Sequence, residues 1–486
     1  MSESSNYKTN NFKNLLSTQP KIFKYWLTLT LIFGVILIFL IPPFQSPDEF
    51  HHFYRIYQIT DGHLLGEFNS DSTQIGGYMP QSVVDIMDPY DEPLVFKPTK
   101  RTSFDTLLKC WNTPLNPKNI VFREFPNTAR YSITAYLPQV LGFELLKIFE
   151  ANPLKMMYLG RLFNFIFWFI CICFAVIIMP KFKELAMIFL FLPNSISINA
   201  SLSADVTSNA LLFLAFALFF RFRYNDKIKP LELFLFAFII FITTLNKIIY
   251  FPIILLLLFV QNEKFKSIPQ KILIISSGLI ANFLLGLEWS HIVNGLIYPN
   301  PNNLNITTYE NIHTGFRVNP TQQIHHILEY PLLFFKNWIY ESLRIVTTTT
   351  TNSWIGDFGW DGFVPSGLGL ILFYFIIIFS TAQNYIFKLW ERFGLALIGF
   401  GMSMLIILVQ HLHWDEVGDI FDNGYEGKYF IPIFPFYFWS VAGIFSKKFE
   451  SEKQRKILNI VFLALFGIVY IDFWILVFLR FYIPLA

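Results

Sequence analysis

The strongest chemical signal is the stretch PPFQSPDEFHHFYRIYQ at residues 42–58, directly after the first apolar segment. Asp48 and Glu49 follow a proline that suits the first turn of a helix, and a helix beginning there would place His51 and His52 on the face of Asp48. A carboxylate here could act as general base toward an acceptor hydroxyl. Alternatively, Asp48, Glu49 and His52 could hold a divalent cation, Mg²⁺ or Mn²⁺, beside a phosphate. An acidic pair that merely caps an interfacial helix is an equally good interpretation of the spacing.

A second acid, Asp205, lies among small hydroxylated residues in SINASLSADVTSNAL, residues 197–211. An acidic side chain within a membrane hairpin is costly, which favours a functional role slightly over a water-exposed turn.

Cationic side chains form a third group. Arg161 begins an apolar segment, Lys247 stands in the short turn NKIIYFP, and Lys428 precedes a late apolar segment. Cations at helix ends suit the phosphate of an anionic lipid, whereas each one singly could also snorkel to lipid headgroups. The predicted contacts to substrate or lipid phosphate are His51, His52, Arg55, Arg161, Lys247, Tyr250, Lys428 and Tyr429.

The composition shows what must position these residues. Hydrophobic residues make up 54% of the 486 and charged residues only 15%, with 58 Phe and a mean hydropathy of +0.46. A soluble domain carries about a quarter charged residues. We therefore expect an all-α polytopic membrane protein surrounded by a lipid bilayer. The net charge of +3 gives no reason to expect a nucleic-acid partner.

Apolar runs predict about eleven transmembrane helices, since a span needs roughly 20 apolar residues. The predicted spans are 25–41, 159–179, 185–203, 206–221, 231–246, 249–260, 272–289, 366–382, 394–410, 429–445 and 457–479.

Lys and Arg residues concentrate in alternate connections between these spans, which places the amino terminus in the cytoplasm. The acid-rich loop 42–158 and the region 290–365 then lie on the extracytoplasmic side. Within the loop, the segment 131–149 reads as an amphipathic interfacial helix rather than a span. We expect one transmembrane domain over residues 1–445, followed by a basic cytoplasmic loop and a last helix in 446–486.

Several short motifs together resemble one known family. They are PPFQSPDEFHHFYRIYQITDG, YLPQVLG, GRLFN, LPNSISINASLSAD, KIIYFP, GDFGWDG and EGKYFIP, spread over residues 30–445. They are similar to the bacterial membrane proteins grouped as domain of unknown function 2142, within the GT-C glycosyltransferase clan. The P-x-x-P-D-E-x-x-H stretch is the most specific of them.

The resemblance implies a GT-C-like fold in the bacterial cytoplasmic membrane. Enzymes of the clan take a sugar from a polyprenyl-phosphate donor, and their catalytic acid follows the first helix on the extracytoplasmic face. In this chain that implies catalytic roles for Asp48 and Glu49, with Asp205 as the assisting acid. Two positions depart from the family pattern: Lys428 stands where an arginine is usual, and Phe50 follows the acidic pair. Lysine keeps the positive charge but loses the bidentate fork of arginine.

We therefore expect a membrane glycosyltransferase that moves a sugar from a polyprenyl-phosphate donor to a cell-surface glycan or glycolipid. The alternatives are a transporter or flippase, or a polymerase or ligase, of lipid-linked glycans. A transport path should carry ionisable residues at several membrane depths. In this sequence Asp472 and Glu288 are the clearest such residues, and the other acidic candidates gather at one face.

Overall fold

The computed structural model describes residues 21–70, 74–90, 94, 97, 99–149, 152–183, 185, 192–297, 318–345, 368–382, 387–419, 421, 427–446 and 451–483. The chain is mostly helical. Its α-helices are α1 Lys21–Leu40, α2 Glu49–Thr60, α3 Gln81–Asp85, α4 Phe104–Trp111, α5 Pro126–Ala129, α6 Leu137–Phe149, α7 Pro153–Ile178, α8 Pro193–Asn199, α9 Asp205–Tyr224, α10 Pro230–Asn246, α11 Ile268–Ile297, α12 Pro320–Glu329, α13 Pro331–Arg344, α14 Leu368–Thr381, α15 Leu389–Trp414, α16 Phe434–Val441 and α17 Glu452–Tyr482. The described residues also include 3₁₀ segments at Ile133–Ala135, Ile248–Phe259, Asn262–Lys264 and Gly427–Phe430.

Six helices of the described chain are long and apolar enough to cross a membrane: α1, α7, α9, α11, α15 and α17. The membrane character predicted from the composition is therefore confirmed, whereas the count of about eleven spans stays a prediction. Two predicted spans are broken. The run 249–260 is a 3₁₀ segment containing Pro252, and the run 429–445 divides into a 3₁₀ turn and α16. Proline removes a helical hydrogen bond and clashes with the preceding turn.

The loop 42–158 contains a small antiparallel sheet that the all-α prediction missed. In the described chain its strands are β1 Glu67–Phe68, β2 Ile75–Pro80 and β3 Ile120–Glu124, in the order β1-β2-β3. A Cβ added to Gly76 would lie 1.9 Å from the carbonyl oxygen of Arg123, so the close pairing of β2 with β3 requires glycine here. The Gln58 side chain of α2 donates to the carbonyl of Gly76 at 3.0 Å, which anchors α2 to the sheet.

α2 is buried along nearly its whole length, and it packs against α6 as well as against β2. α6 in turn packs tightly on α7: a Cβ on Gly142 would come within 2.9 Å of the carbonyl oxygen of Leu159. Pro138 lies in the first turn of α6, where proline is tolerated, so this segment forms a continuous helix after the 3₁₀ turn. Its placement on the membrane surface remains a prediction.

The region 290–365 contributes α12 and α13, whereas its threonine run 347–351 and the motif GDFGWDG lie outside the described residues. Both helices pack against α15.

Candidate functional site

Asp48 stands immediately before α2 with a φ of 61°, in the left-handed region that Asp tolerates better than most residues. Its side chain makes no capping hydrogen bond to the helix. The carboxylate instead accepts from Asn127 Nδ2 at 2.9 Å and from Lys428 Nζ at 3.4 Å, and it is 18% exposed. The helix-capping interpretation of Asp48 therefore has no support in this geometry.

Glu49 has different partners from Asp48 and is fully buried. Its two oxygens accept from Arg161 Nε at 2.7 Å and Nη2 at 2.5 Å, and the N–H of Leu202 adds a third hydrogen bond at 3.0 Å. The remaining N–H groups of the guanidinium donate to the main-chain carbonyls of Ile38, Ile41 and Pro42. All five donors of Arg161 are thus engaged within the protein. Through these hydrogen bonds the pair connects four parts of the chain: the end of α1, the start of α2, α7 and the segment before α9. This arrangement favours a structural role over substrate contact.

Asp205 and Lys247 form a second ion pair, in which Asp205 is buried and Lys247 is partly buried. The ammonium group of Lys247 lies 4.2 Å from the ring centroid of Tyr429 and 5.4 Å from that of Tyr131. The ammonium group of Lys428, which is bound to Asp48, lies 5.2 Å from the Tyr429 ring. The two acid–lysine pairs therefore meet at one tyrosine, and their cations are no farther apart than these two ring distances combined.

These pairs border a cavity of about 160 Å³. Asp48, Lys247 and Tyr429 line it, together with residues that the sequence analysis did not single out: Asn127, Arg130, Tyr131, Trp289 and His413. Arg130 Nη1 lies 2.5 Å from His413 Nδ1, and the Trp289 indole donates to the carbonyl of Arg130 at 2.9 Å. The signal for Arg130 in the sequence was its position just before the segment 131–149, as a cation in an acid-rich loop.

Local charge keeps Asp48 ionised. Burial alone would raise its pKa, but neighbouring positive charge, above all the ammonium group of Lys428, outweighs burial and holds the pKa below the ordinary 3.8. Burial also lowers the pKa of His51 to about 4 and that of His52 to about 3, despite the opposing charge of Asp48. Both imidazoles are therefore neutral near pH 7, and Lys428 is the neighbouring charge that stabilises the Asp48 carboxylate there.

Other predicted contact residues lie behind the cavity wall. His52 Nδ1 hydrogen-bonds the Tyr136 hydroxyl at 2.8 Å, and Arg55 donates to the carbonyl of Leu64 at 2.6 Å, which fastens the chain after α2. Burial lowers the pKa of Arg55 to about 10. Tyr250 is only 1% exposed. None of His51, His52, Arg55 and Tyr250 is among the residues that line the cavity.

The structure does not assemble the predicted metal site. Glu49 faces Arg161 while Asp48 faces Lys428, so the two carboxylates do not converge. In the described part of the chain, no group of three or more His, Cys, Asp or Glu side chains is arranged to hold a metal ion.

Comparison with known proteins places these residues in a family. A family model described as "Predicted membrane protein (DUF2142)" matches residues 31–437, most of the chain. The chain belongs to this family. The matched part of this DUF2142 protein includes both ion pairs of the cavity as well as Arg130 and His413. No curated protein and no solved structure matches it significantly.

Proposed function

We propose that this DUF2142 protein is a GT-C-type membrane glycosyltransferase, which transfers a sugar from a polyprenyl-phosphate donor to a cell-surface glycan or glycolipid on the extracytoplasmic face. One observation carries the proposal: an ionised, partly accessible acid and two cations line a single cavity at the ends of apolar helices. Asp48 supplies the acid, and Lys247 and Arg130 supply the cations.

In the proposed reaction Asp48 takes the proton of the acceptor hydroxyl. The acceptor oxygen forms a bond to the anomeric carbon, the bond from that carbon to the phosphate oxygen breaks, and its electron pair leaves with the polyprenyl phosphate. An aspartate with a lowered pKa is ionised near neutral pH but is a weak base. It would accept the proton late, as bond formation makes the hydroxyl acidic.

The leaving phosphate needs positive charge nearby. Asp48, Asp205, Lys247, Lys428 and Arg130 together carry a net charge of +1, from three cations and two anions. This surplus suits an anionic phosphate. Asp205 fixes the position of Lys247, so we assign Asp205 a positioning role and Lys247 the phosphate contact. Glu49 and Arg161 hold the scaffold together.

An apolar groove of about 430 Å³ next to the cavity suits the hydrocarbon chain of such a donor. It runs between α6, α7, α9 and α10, and its lining includes Leu141, Ile166 and Phe238. Thr134 lines the groove and donates to Asn246 Oδ1 at 2.7 Å, and Asn246 lines the charged cavity. The apolar groove and the charged cavity are therefore separated by a single hydrogen bond. A lipid phosphate needs such neighbouring sites, one for its hydrocarbon chain and one for its charged phosphate.

The experiment compares Asp48→Asn with Asp85→Asn, a control at an exposed position of the same loop. Each variant is expressed in cells that lack the protein, and surface glycans are analysed by mass spectrometry. We expect Asp48→Asn to lose the glycan modification, since general-base catalysis contributes about 10²–10⁴-fold. The control should restore the modification at equal membrane abundance. Undiminished modification by Asp48→Asn would remove the central claim, and loss of lipid export instead of sugar transfer would favour a flippase.

A further inference from the structure

α4, residues Phe104–Trp111, divides its surface into three sectors. Cys110 and Leu107 face the protein, and Cys110 is 4% exposed. Asp105 and Lys109 form an exposed polar sector. The third sector is apolar yet exposed.

This apolar sector consists of Phe104, Leu108 and Trp111, which are 69%, 43% and 37% exposed. Their spacing of four and three residues places them on one side of the helix. A helix with a protein-facing side, an apolar side and a polar side has the pattern expected at the edge of a membrane, where protein, hydrocarbon and water meet.

Both ends of α4 are attached to the ends of spanning helices. Before its first turn, the N–H of Thr102 donates to the carbonyl of Phe481 in α17 at 2.9 Å. At its last residue, the carbonyl of Trp111 accepts from Asn152 Nδ2 at 2.8 Å, and Asn152 is the N-cap of α7. An eight-residue helix is about 12 Å long, so α4 lies across the tops of the helix bundle.

Aromatic contacts show the level at which Trp111 lies. Phe39, near the end of α1, is 56% exposed on the apolar span and stacks on Tyr158 at 5.6 Å. Tyr158 in turn contacts Trp111, with ring centroids 6.0 Å apart. Lys155 lies 5.4 Å from the Trp111 ring. Trp111 therefore stands one ring beyond an exposed phenylalanine at the end of a helix that is apolar enough to span a membrane, and membrane proteins concentrate tryptophan near the ends of their spans.

The same end of the bundle holds the charged cavity. The hydroxyl of Tyr482 in α17 donates to the carbonyl of Leu40, the last residue of α1, at 3.0 Å. Asp48 follows α1 by a few residues.

We propose that α4 is a lipid-anchored interfacial helix. Phe104, Leu108 and Trp111 enter the boundary between headgroups and acyl chains, on the membrane face that carries Asp48. The partner of this surface is the bilayer itself. The anchor holds the acid-rich loop down beside the outer ends of α7 and α17.

The test uses the full chain in lipid nanodiscs that contain one copy each, so that a second copy cannot cover the helix. Leu108→Cys and the matched control Asp105→Cys are each labelled with an environment-sensitive fluorophore. Cys110, Cys171 and Cys173 are buried, and the labelled wild type serves as the blank. Quenching is measured with a lipid that bears a nitroxide just below its headgroup and, separately, with aqueous iodide.

We expect the lipid nitroxide to quench the label at position 108 more strongly than iodide does, with emission shifted to shorter wavelength. The order should reverse at position 105. If iodide quenches both positions equally, α4 lies in water and the proposal fails. If position 108 is shielded from both quenchers, another part of the chain covers the apolar sector, and the proposal fails as well.

Discussion

The clasp between Glu49 and Arg161 gives the sharpest prediction, because it separates two acids that are adjacent in the sequence. Glu49→Gln keeps the shape of the side chain but removes its charge. Arg161 then retains a buried positive charge with no carboxylate in its bidentate contact. We expect this substitution to destabilise the protein strongly.

The magnitude follows from the burial of both groups, which are 0% and 1% exposed as side chains. Removing one partner of a buried ion pair costs about 3–5 kcal/mol, because the remaining charge cannot recover its hydration. Arg161 of the pair also joins the end of α1 to α7. If Glu49→Gln weakens this contact, the residues that line the cavity should become less well positioned. The double variant Glu49→Leu, Arg161→Met removes both charges and should be less destabilised than either single variant.

Thermal unfolding of the purified variants, followed by fluorescence-detected size exclusion, measures the effect. Glu144→Gln is the matched control, since Glu144 forms a surface ion pair with Lys147 at 3.9 Å and is 47% exposed. An exposed pair contributes about 0–1 kcal/mol, so the control should unfold near the wild-type temperature.

One result would refute the structural assignment of Glu49. If Glu49→Gln keeps wild-type stability while glycan modification is lost, Glu49 acts in the chemistry and the clasp is not its main role. A stable but inactive Asp48→Asn beside an unstable Glu49→Gln would support the opposite roles assigned to the two acids.

Three further predictions concern pH and the groove. Lys428→Met should raise the pKa of Asp48, because it removes the positive charge that opposes the effect of burial. The acid limb of the activity–pH profile should then move to higher pH. An unchanged acid limb would mean that Asp48 does not control it. His51 and His52 are neutral in the folded protein above about pH 4, whereas in the unfolded chain a histidine has a pKa near 6.5. Between these pH values the unfolded state binds more protons than the folded state. As the pH falls through this range, the free energy of unfolding should therefore drop by about 1.4 kcal/mol per pH unit for each histidine. Denaturation at pH 7 and pH 5 checks this, and replacing both histidines with phenylalanine should flatten the difference. Leu141→Trp fills the apolar groove and should weaken photocrosslinking of a long-chain lipid phosphate without changing that of a short-chain analogue; equal loss of both would indicate general damage.

Much of the membrane architecture is predictable from the sequence because it depends on local properties. Helices α1, α7, α9, α11, α15 and α17 coincide with long apolar runs, since lipid selects apolar residues over a length of about 20. The interrupted runs were harder to predict. The mean hydropathy of Ile248–Phe259 is typical of a span. It does not show that a proline within this short segment changes an α-helix into a 3₁₀ helix.

The candidate site was likewise only partly predictable from the sequence. The motif around Asp48 stands out in the sequence because the P-x-x-P-D-E-x-x-H stretch is the most specific of the motifs that resemble the family. Adjacent position suggested a shared role for Asp48 and Glu49. Their separation depends on the left-handed backbone at Asp48 and on Arg161, which lies 112 residues after Glu49.

The sequence by itself determined that this is a membrane protein and that its acids and cations gather at helix ends, because hydropathy and residue type are properties of single positions and short windows. Only the tertiary structure decided which charge meets which. Lys428 reaches Asp48 across 380 residues, and Lys247 reaches Asp205 across 42. Such pairings depend on how the helices pack, and packing depends on the shapes of many side chains at once. Asp48 and Glu49 were both predicted to be catalytic; Asp48 keeps that candidate role, whereas the contacts of Glu49 favour a structural one.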